Sequence, residues 1–121
     1  MDWFKTIETA QVLEQGAVAT EIEGLRIALW AIDDEVYATG NICTHAFAYL
    51  TDGHIENGCI ECPLHQGLFD IRSGKALSAP VTKDIATYAV KQEDEFVWVD
   101  VKRPGTGPQT MLSNSNGMGP D

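Results

Sequence analysis

Positive charge is scarce in this chain. Eight lysines and arginines stand against eighteen aspartates and glutamates, a formal net charge of −10. A field of that sign repels phosphate backbones and excludes nucleic acids as a partner class. Long apolar runs are also missing: none approaches the roughly 18 residues a membrane span needs, and no basic segment followed by an apolar stretch opens the chain. The expected setting is therefore cytoplasmic, away from any membrane. Cysteine occurs only at positions 43, 59 and 62, and histidine only at 45, 54 and 65. An odd cysteine count without a disulfide framework suits a reducing compartment. Internal repeats and heptads are absent.

What is present suits one folded domain. At 121 residues, a chain can bury something over 60% of its unfolded surface and build a core without disulfides. The acidic excess concentrates early, with eight acidic residues against Lys5 and Arg26 in residues 1–42. A solvated surface is the plain reading, and steering toward basic partner proteins the sharper one.

Strand signals dominate. Trp3, Phe4 and Ile7 suit a short first strand over 2–8. Residues 17–23 and 25–32, broken by Gly24, read as a hairpin. Asp33–Asp34 makes the next turn, and 35–39 a short strand; no helical periodicity stands out. Asp52–Gly53 and Asn57–Gly58 are turn dipeptides, the second a strong hairpin signal. Residues 85–91 and 95–101 form a final hairpin with its turn at Gln92–Asp94, and burial in the core is expected for Phe96 and Trp98. The fold class is all-β, a sandwich or barrel-like stack of antiparallel sheets. The domain is expected over 1–103, with a Pro/Gly/Ser/Asn-rich mobile tail over 104–121.

The chemistry concentrates between Cys43 and His65. Cys43-Thr44-His45 and Cys62-Pro63-Leu64-His65, separated by sixteen residues, each pair one thiolate with one imidazole. Two such loops side by side converge four ligands on one metal centre. A Cys₂His₂ zinc site is one reading, but zinc modules usually group like ligands within an arm. Mixed arms suit a centre of two unlike irons. Cys59 reads as a small buried strand residue, and His54 as an exposed turn residue.

These two motifs, with the following Gln66-Gly67-Leu68-Phe69-Asp70-Ile71 and Gly74, resemble the Rieske [2Fe-2S] pattern, most clearly over 41–80. The resemblance implies a small inserted cluster-binding subdomain of two ligand loops. It makes Cys43 and Cys62 ligands of an inner iron, and His45 and His65 ligands of an outer one. Ala46, Phe47, Ala48, Pro63, Leu64, Gln66, Gly67 and Pro80 then shield the cluster or dock a partner, Pro80 from a third loop. Ala48, Leu64, Gly67 and Phe69 stand where high-potential relatives place a disulfide and hydroxyl donors. The expected potential is therefore low, about −150 mV.

By the same resemblance the chain is a one-electron carrier that binds no substrate. It takes electrons from a flavin-dependent ferredoxin reductase to the terminal oxygenase of a ring-hydroxylating dioxygenase in aromatic hydrocarbon catabolism. A catalytic oxygenase subunit needs a second, mononuclear iron site, and only His54 is left over. Monomeric behaviour is expected when free. The alternatives are a Rieske-like small subunit of a larger reductase complex and a zinc-stabilised binding module.

Overall fold

The computed structural model describes residues 2–105 except 46, 65, 80 and 82. Ten elements frame the site: β1 (Phe4–Glu8), α1 (Thr9–Gln15), β2 (Ala17–Ile22), β3 (Leu25–Ile32), β4 (Glu35–Gly40), β5 (His54–Glu56), β6 (Cys59–Glu61), β7 (Leu68–Asp70), β8 (Thr87–Glu93) and β9 (Phe96–Asp100). All strand pairs are antiparallel. One sheet runs β1-β9-β8-β4-β3-β2, and a smaller one runs β5-β6-β7. The edge strands β1 and β2 come back into contact, so the large sheet curls into a nearly closed barrel.

Four hairpins close through two-residue turns with both central residues at positive φ: Glu23–Gly24, Asp33–Asp34, Asn57–Gly58 and Asp94–Glu95. That geometry matches the twist of paired strands and pins their register. The last turn comes later than the expected Gln92–Asp94 and shares only Asp94 with it, because β8 starts at Thr87 and runs on through Glu93. With Glu95 at φ 70°, the turn carries none of the usual Gly or Asn signal.

The helix α1 departs from the all-strand expectation. Five of its seven residues, Ala10, Gln11, Leu13, Glu14 and Gln15, are good helix formers, and Gly16, at φ 84°, donates its N–H to Val12 O at 2.8 Å to end it. In seven residues it buries only Val12, so it has no apolar stripe for periodicity to reveal. Packed on β1 to β4 and β9, it caps the barrel.

Strands β3 and β4 serve two cores. Ile27, Leu29, Val36 and Ala38 pack into the barrel with Val12, Val18, Ile22, Val90, Val97 and Val99. Ala28, Trp30, Ile32 and Tyr37 point the other way, onto Leu50, Ile60, Phe69, Ile71, Val81, Ile85, Cys43 and Cys62. Burial on both faces explains why 25–32 is an almost unbroken apolar run rather than an alternating one. It also seats the β5-β6-β7 subdomain and, on it, Cys62, together with Cys43 of the loop that follows β4, on one wall. Arg72 straps that subdomain down, donating from Nε to Tyr37 Oη (3.1 Å) and from Nη2 to Asp33 Oδ2 (2.9 Å).

The β9 aromatics lie outside these cores. Val97 and Val99 are fully buried, but Phe96 and Trp98 are half-buried on the outer face. There the Lys5 ammonium lies 4.2 Å from the Phe96 ring centre, and Lys91 lies 5.7 Å from that of Trp98. One face of β9 meets the barrel core, so lysine stems cover the other. Past Arg103, Gly105 O accepts from Thr87 Oγ1 at 3.2 Å; positions 106–121 of the expected tail lie outside the described residues.

Candidate metal centre

The two ligand loops are closed in the same way. Cys43 N–H donates to Ala48 O (2.9 Å), and Cys62 N–H donates to Gly67 O (2.8 Å), each across five residues. The first loop leaves the end of β4, and the second joins β6 to β7.

Asn41 anchors the first loop with four groups. Its N–H donates to Arg26 O (2.9 Å), and its carbonyl accepts from Leu50 N (2.8 Å). Its side chain accepts from Thr51 N (2.9 Å) and donates to Thr51 Oγ1 (3.1 Å). At 2% exposure, such a residue survives burial only because every group is paired.

A third segment, between β7 and β8, closes over the second loop. Leu77 N–H donates to Leu68 O and Leu68 N–H to Ser78 Oγ. Buried Val81 lies so near Gly67 that a Cβ there would stand 2.6 Å from Val81 Cγ1. Thr44 Oγ1 donates to Lys83 O at 2.7 Å, tying the first loop to the same segment.

This framework brings Cys43 and Cys62 together. Both are buried in one core and neither is in a disulfide. Burial pushes the Cys62 thiol up, reinforced by its hydrogen bond with the Cys43 thiol, while a backbone hydrogen bond from Leu64 works the other way. A backbone N–H aimed at the sulfur is the arrangement that stabilises a thiolate once metal is bound. His45 is exposed on the first loop, and His65 lies outside the described residues. Among the described residues no three candidate ligands converge on their own. Two buried, unlinked thiols beside an exposed imidazole loop fit a group whose sulfur-bound metal faces the core and whose nitrogen-bound metal faces out.

The residues expected to shield the cluster or dock a partner divide. Gly67 is buried and Ala48 packs against the core, whereas Phe47 (76% exposed), Pro63, Leu64 and Gln66 face outward. Ala46 and Pro80 lie outside the described residues. Phe69, in β7, is fully buried and offers no hydroxyl. Cys59 is half-buried rather than buried, because it lies on the face of β6 opposite the fully buried Ile60. Burial and the charge of Asp70, its cross-strand partner, push its thiol up. His54, exposed at the first position of β5, is 3.5 Å from Glu56. The sequence alone does not mark Asn41, Ser78 or Val81; the only hint is a polar residue next to a ligand loop.

The profile of the Rieske [2Fe-2S] domain matches residues 2–89. The chain belongs to the Rieske [2Fe-2S] family. The cofactor of this Rieske protein is accordingly a Rieske [2Fe-2S] cluster, and the zinc reading is set aside. It is 46% identical over 99 residues to the ferredoxin component of the naphthalene 1,2-dioxygenase system of Pseudomonas putida, covering 82% of this chain and 95% of that one. A ferredoxin component of the naphthalene 1,2-dioxygenase/salicylate 5-hydroxylase systems of a Ralstonia species is also 46% identical, over 84% of this chain and 97% of its own. Among solved structures, the ferredoxin of Sphingomonas yanoikuyae B1 superposes with a TM-score of 0.77 at 38% identity, over 82% of this Rieske protein and 98% of that chain. A chain from a complex of reduced oxygenase and oxidized ferredoxin in carbazole 1,9a-dioxygenase superposes with a TM-score of 0.76 at 26% identity, over 86% and 96%. Among the described residues no helix is long and apolar enough to cross a membrane.

Proposed function

We propose that this Rieske protein is a cytoplasmic one-electron carrier, monomeric when free. In this reading it shuttles between a flavin-dependent ferredoxin reductase and the terminal oxygenase of an aromatic ring-hydroxylating dioxygenase, and has no catalytic site of its own. One observation carries the reading: the alignment spans 95% of the naphthalene dioxygenase ferredoxin component. By contrast, the chain covers only 34% of the dicamba monooxygenase chain, with a TM-score of 0.71.

In this reading Cys43 and Cys62 hold the inner iron as thiolates, giving up their protons on loading, while His45 and His65 hold the outer one. The cluster, when bound, accepts and releases one electron. The protein's own part is to hold that group still and keep water off its inner side. Trp30, Ile60, Phe69, Ile71 and Val81 form the dry wall around the thiols, and a rigid, dry setting lowers the reorganisation that accompanies a change of charge. The outward residues, Phe47, Leu64 and Leu77, are large apolar side chains at 76%, 46% and 50% exposure, and they supply the contact surface for a partner. The domain occupies 1–103, with its cluster-binding part over 41–80.

A second reading has one observation in its favour. A structure described as a putative nitrite reductase NADPH small subunit superposes with a TM-score of 0.69 at 27% identity, covering 82% of this chain and 98% of that one. Reconstitution distinguishes the two. The loaded protein, a flavin reductase and the terminal oxygenase of a naphthalene 1,2-dioxygenase system should turn over an aromatic substrate only when all three are present. A cluster-loaded protein that purifies in a stable complex with a larger reductase, and passes no electrons to an oxygenase, would sink the carrier reading.

A further inference from the structure

Phe47 is the most exposed large apolar side chain among the described residues, at 76%, two positions from His45 on the first ligand loop. An exposed ring normally samples several rotamers, and fixing it on binding costs affinity. Here the Tyr49 ring meets it edge-on, centroids 5.7 Å apart and planes at 62°, within the favourable range for aromatic pairs.

Tyr49 is itself held from outside the loop. Arg26, on β3, donates from Nη1 to Tyr49 Oη at 3.0 Å, and its guanidinium lies 5.7 Å from the Tyr49 ring centre. The backbone carbonyl of the same Arg26 accepts from Asn41 N at 2.9 Å, so one residue grips both the root of the loop and its aromatic tip. Glu21 Oε1, 3.8 Å from Arg26 Nε, flanks the guanidinium from β2. These groups wall an open groove of about 380 Å³ between β2 and the loop.

We propose that Arg26 and Tyr49 are positioning residues that hold Phe47 as a preset docking contact for the terminal oxygenase. This rests on the carrier reading. Part of the affinity for the partner is then set from a barrel strand rather than from the ligand loops, through a side-chain chain Arg26–Tyr49–Phe47. The brace acts on the presented ring and leaves the buried cysteine ligands as they are.

The test measures the dissociation constant of the oxidised, cluster-loaded protein for the terminal oxygenase of a naphthalene 1,2-dioxygenase system, without turnover. Visible spectrum and reduction potential are recorded for each variant. Phe47→Ala should raise the constant about tenfold and Tyr49→Ala about fivefold, the latter about 1 kcal/mol, with spectrum and potential unchanged. Tyr49→Phe, which keeps the ring but loses the acceptor for Arg26, should fall between wild type and Tyr49→Ala. In the Phe47→Ala background, Tyr49→Ala and Arg26→Ala should have almost no further effect. Equal effects of Tyr49→Ala with and without Phe47, or an unchanged constant for Tyr49→Ala, would overturn the brace while leaving the carrier reading intact. Failure of the wild-type protein to bind the oxygenase would overturn both.

Discussion

Replacing Gly67 with alanine tests whether the second ligand loop is held by packing against the third segment. Gly67 has no left-handed φ, so the backbone tolerates a side chain and only space is at issue. The added Cβ would lie 2.6 Å from Val81 Cγ1 and 3.0 Å from Cγ2, against the roughly 3.5–4.0 Å of a comfortable carbon–carbon contact. Val81 is 4% exposed and cannot swing into solvent, so loop and segment must separate by about 1 Å. Overpacking of this kind costs about 1–3 kcal/mol. For a domain of this size, about 2 kcal/mol lowers the melting midpoint by about 8–16 °C.

Because Gly67 O is the acceptor that closes the loop onto Cys62 N, cluster loss should accompany the shift. The assay follows far-UV circular dichroism and cluster absorbance on heating. Val81→Ala in the same chain vacates the space, so the double variant should melt above Gly67→Ala alone. A midpoint for Gly67→Ala within about 2 °C of wild type, or a double variant that is simply the sum of its parts, would refute the packing argument.

Other outcomes follow from the same geometry. Cys59→Ser should leave iron and sulfide content unchanged, whereas Cys62→Ser should lose most of both; equal loss would make Cys59 part of the centre. Asn41→Ala strands Thr51 N–H and should cost about 1–3 kcal/mol in denaturant unfolding, with proteolysis appearing first within 41–51. Burial raises the Tyr88 phenol above its ordinary value. The folded protein thus favours the neutral form, and this contribution is complete below the unfolded value near pH 10. It is lost as pH rises through the folded value. Urea midpoints should fall above about pH 10, and Tyr88→Phe should lessen the fall; an unchanged alkaline slope would remove Tyr88 as its cause.

Much of this was written in local sequence. The ligand motifs are legible because soft metal chemistry admits few residue types at close spacing. Asp33–Asp34 and Asn57–Gly58 announce their turns because both positions of each require positive φ, which Asn, Asp and Gly tolerate best. The apolar run over 25–32 announces a strand buried on both faces.

Other features were decided only when distant segments met. A two-turn helix that buries a single valine has no periodicity to display. Phe96 and Trp98 have the side chains of core residues, yet they sit on the outer face under lysines from neighbouring strands. The importance of Gly67 lies in Val81, fourteen positions away, and that of Tyr49 in an arginine on β3. Local sequence determined the donors and the turns, since those depend on the chemistry and backbone freedom of adjacent residues. Tertiary structure decided how firmly the loops are held and which face they present, since those depend on contacts between segments that sequence order keeps apart.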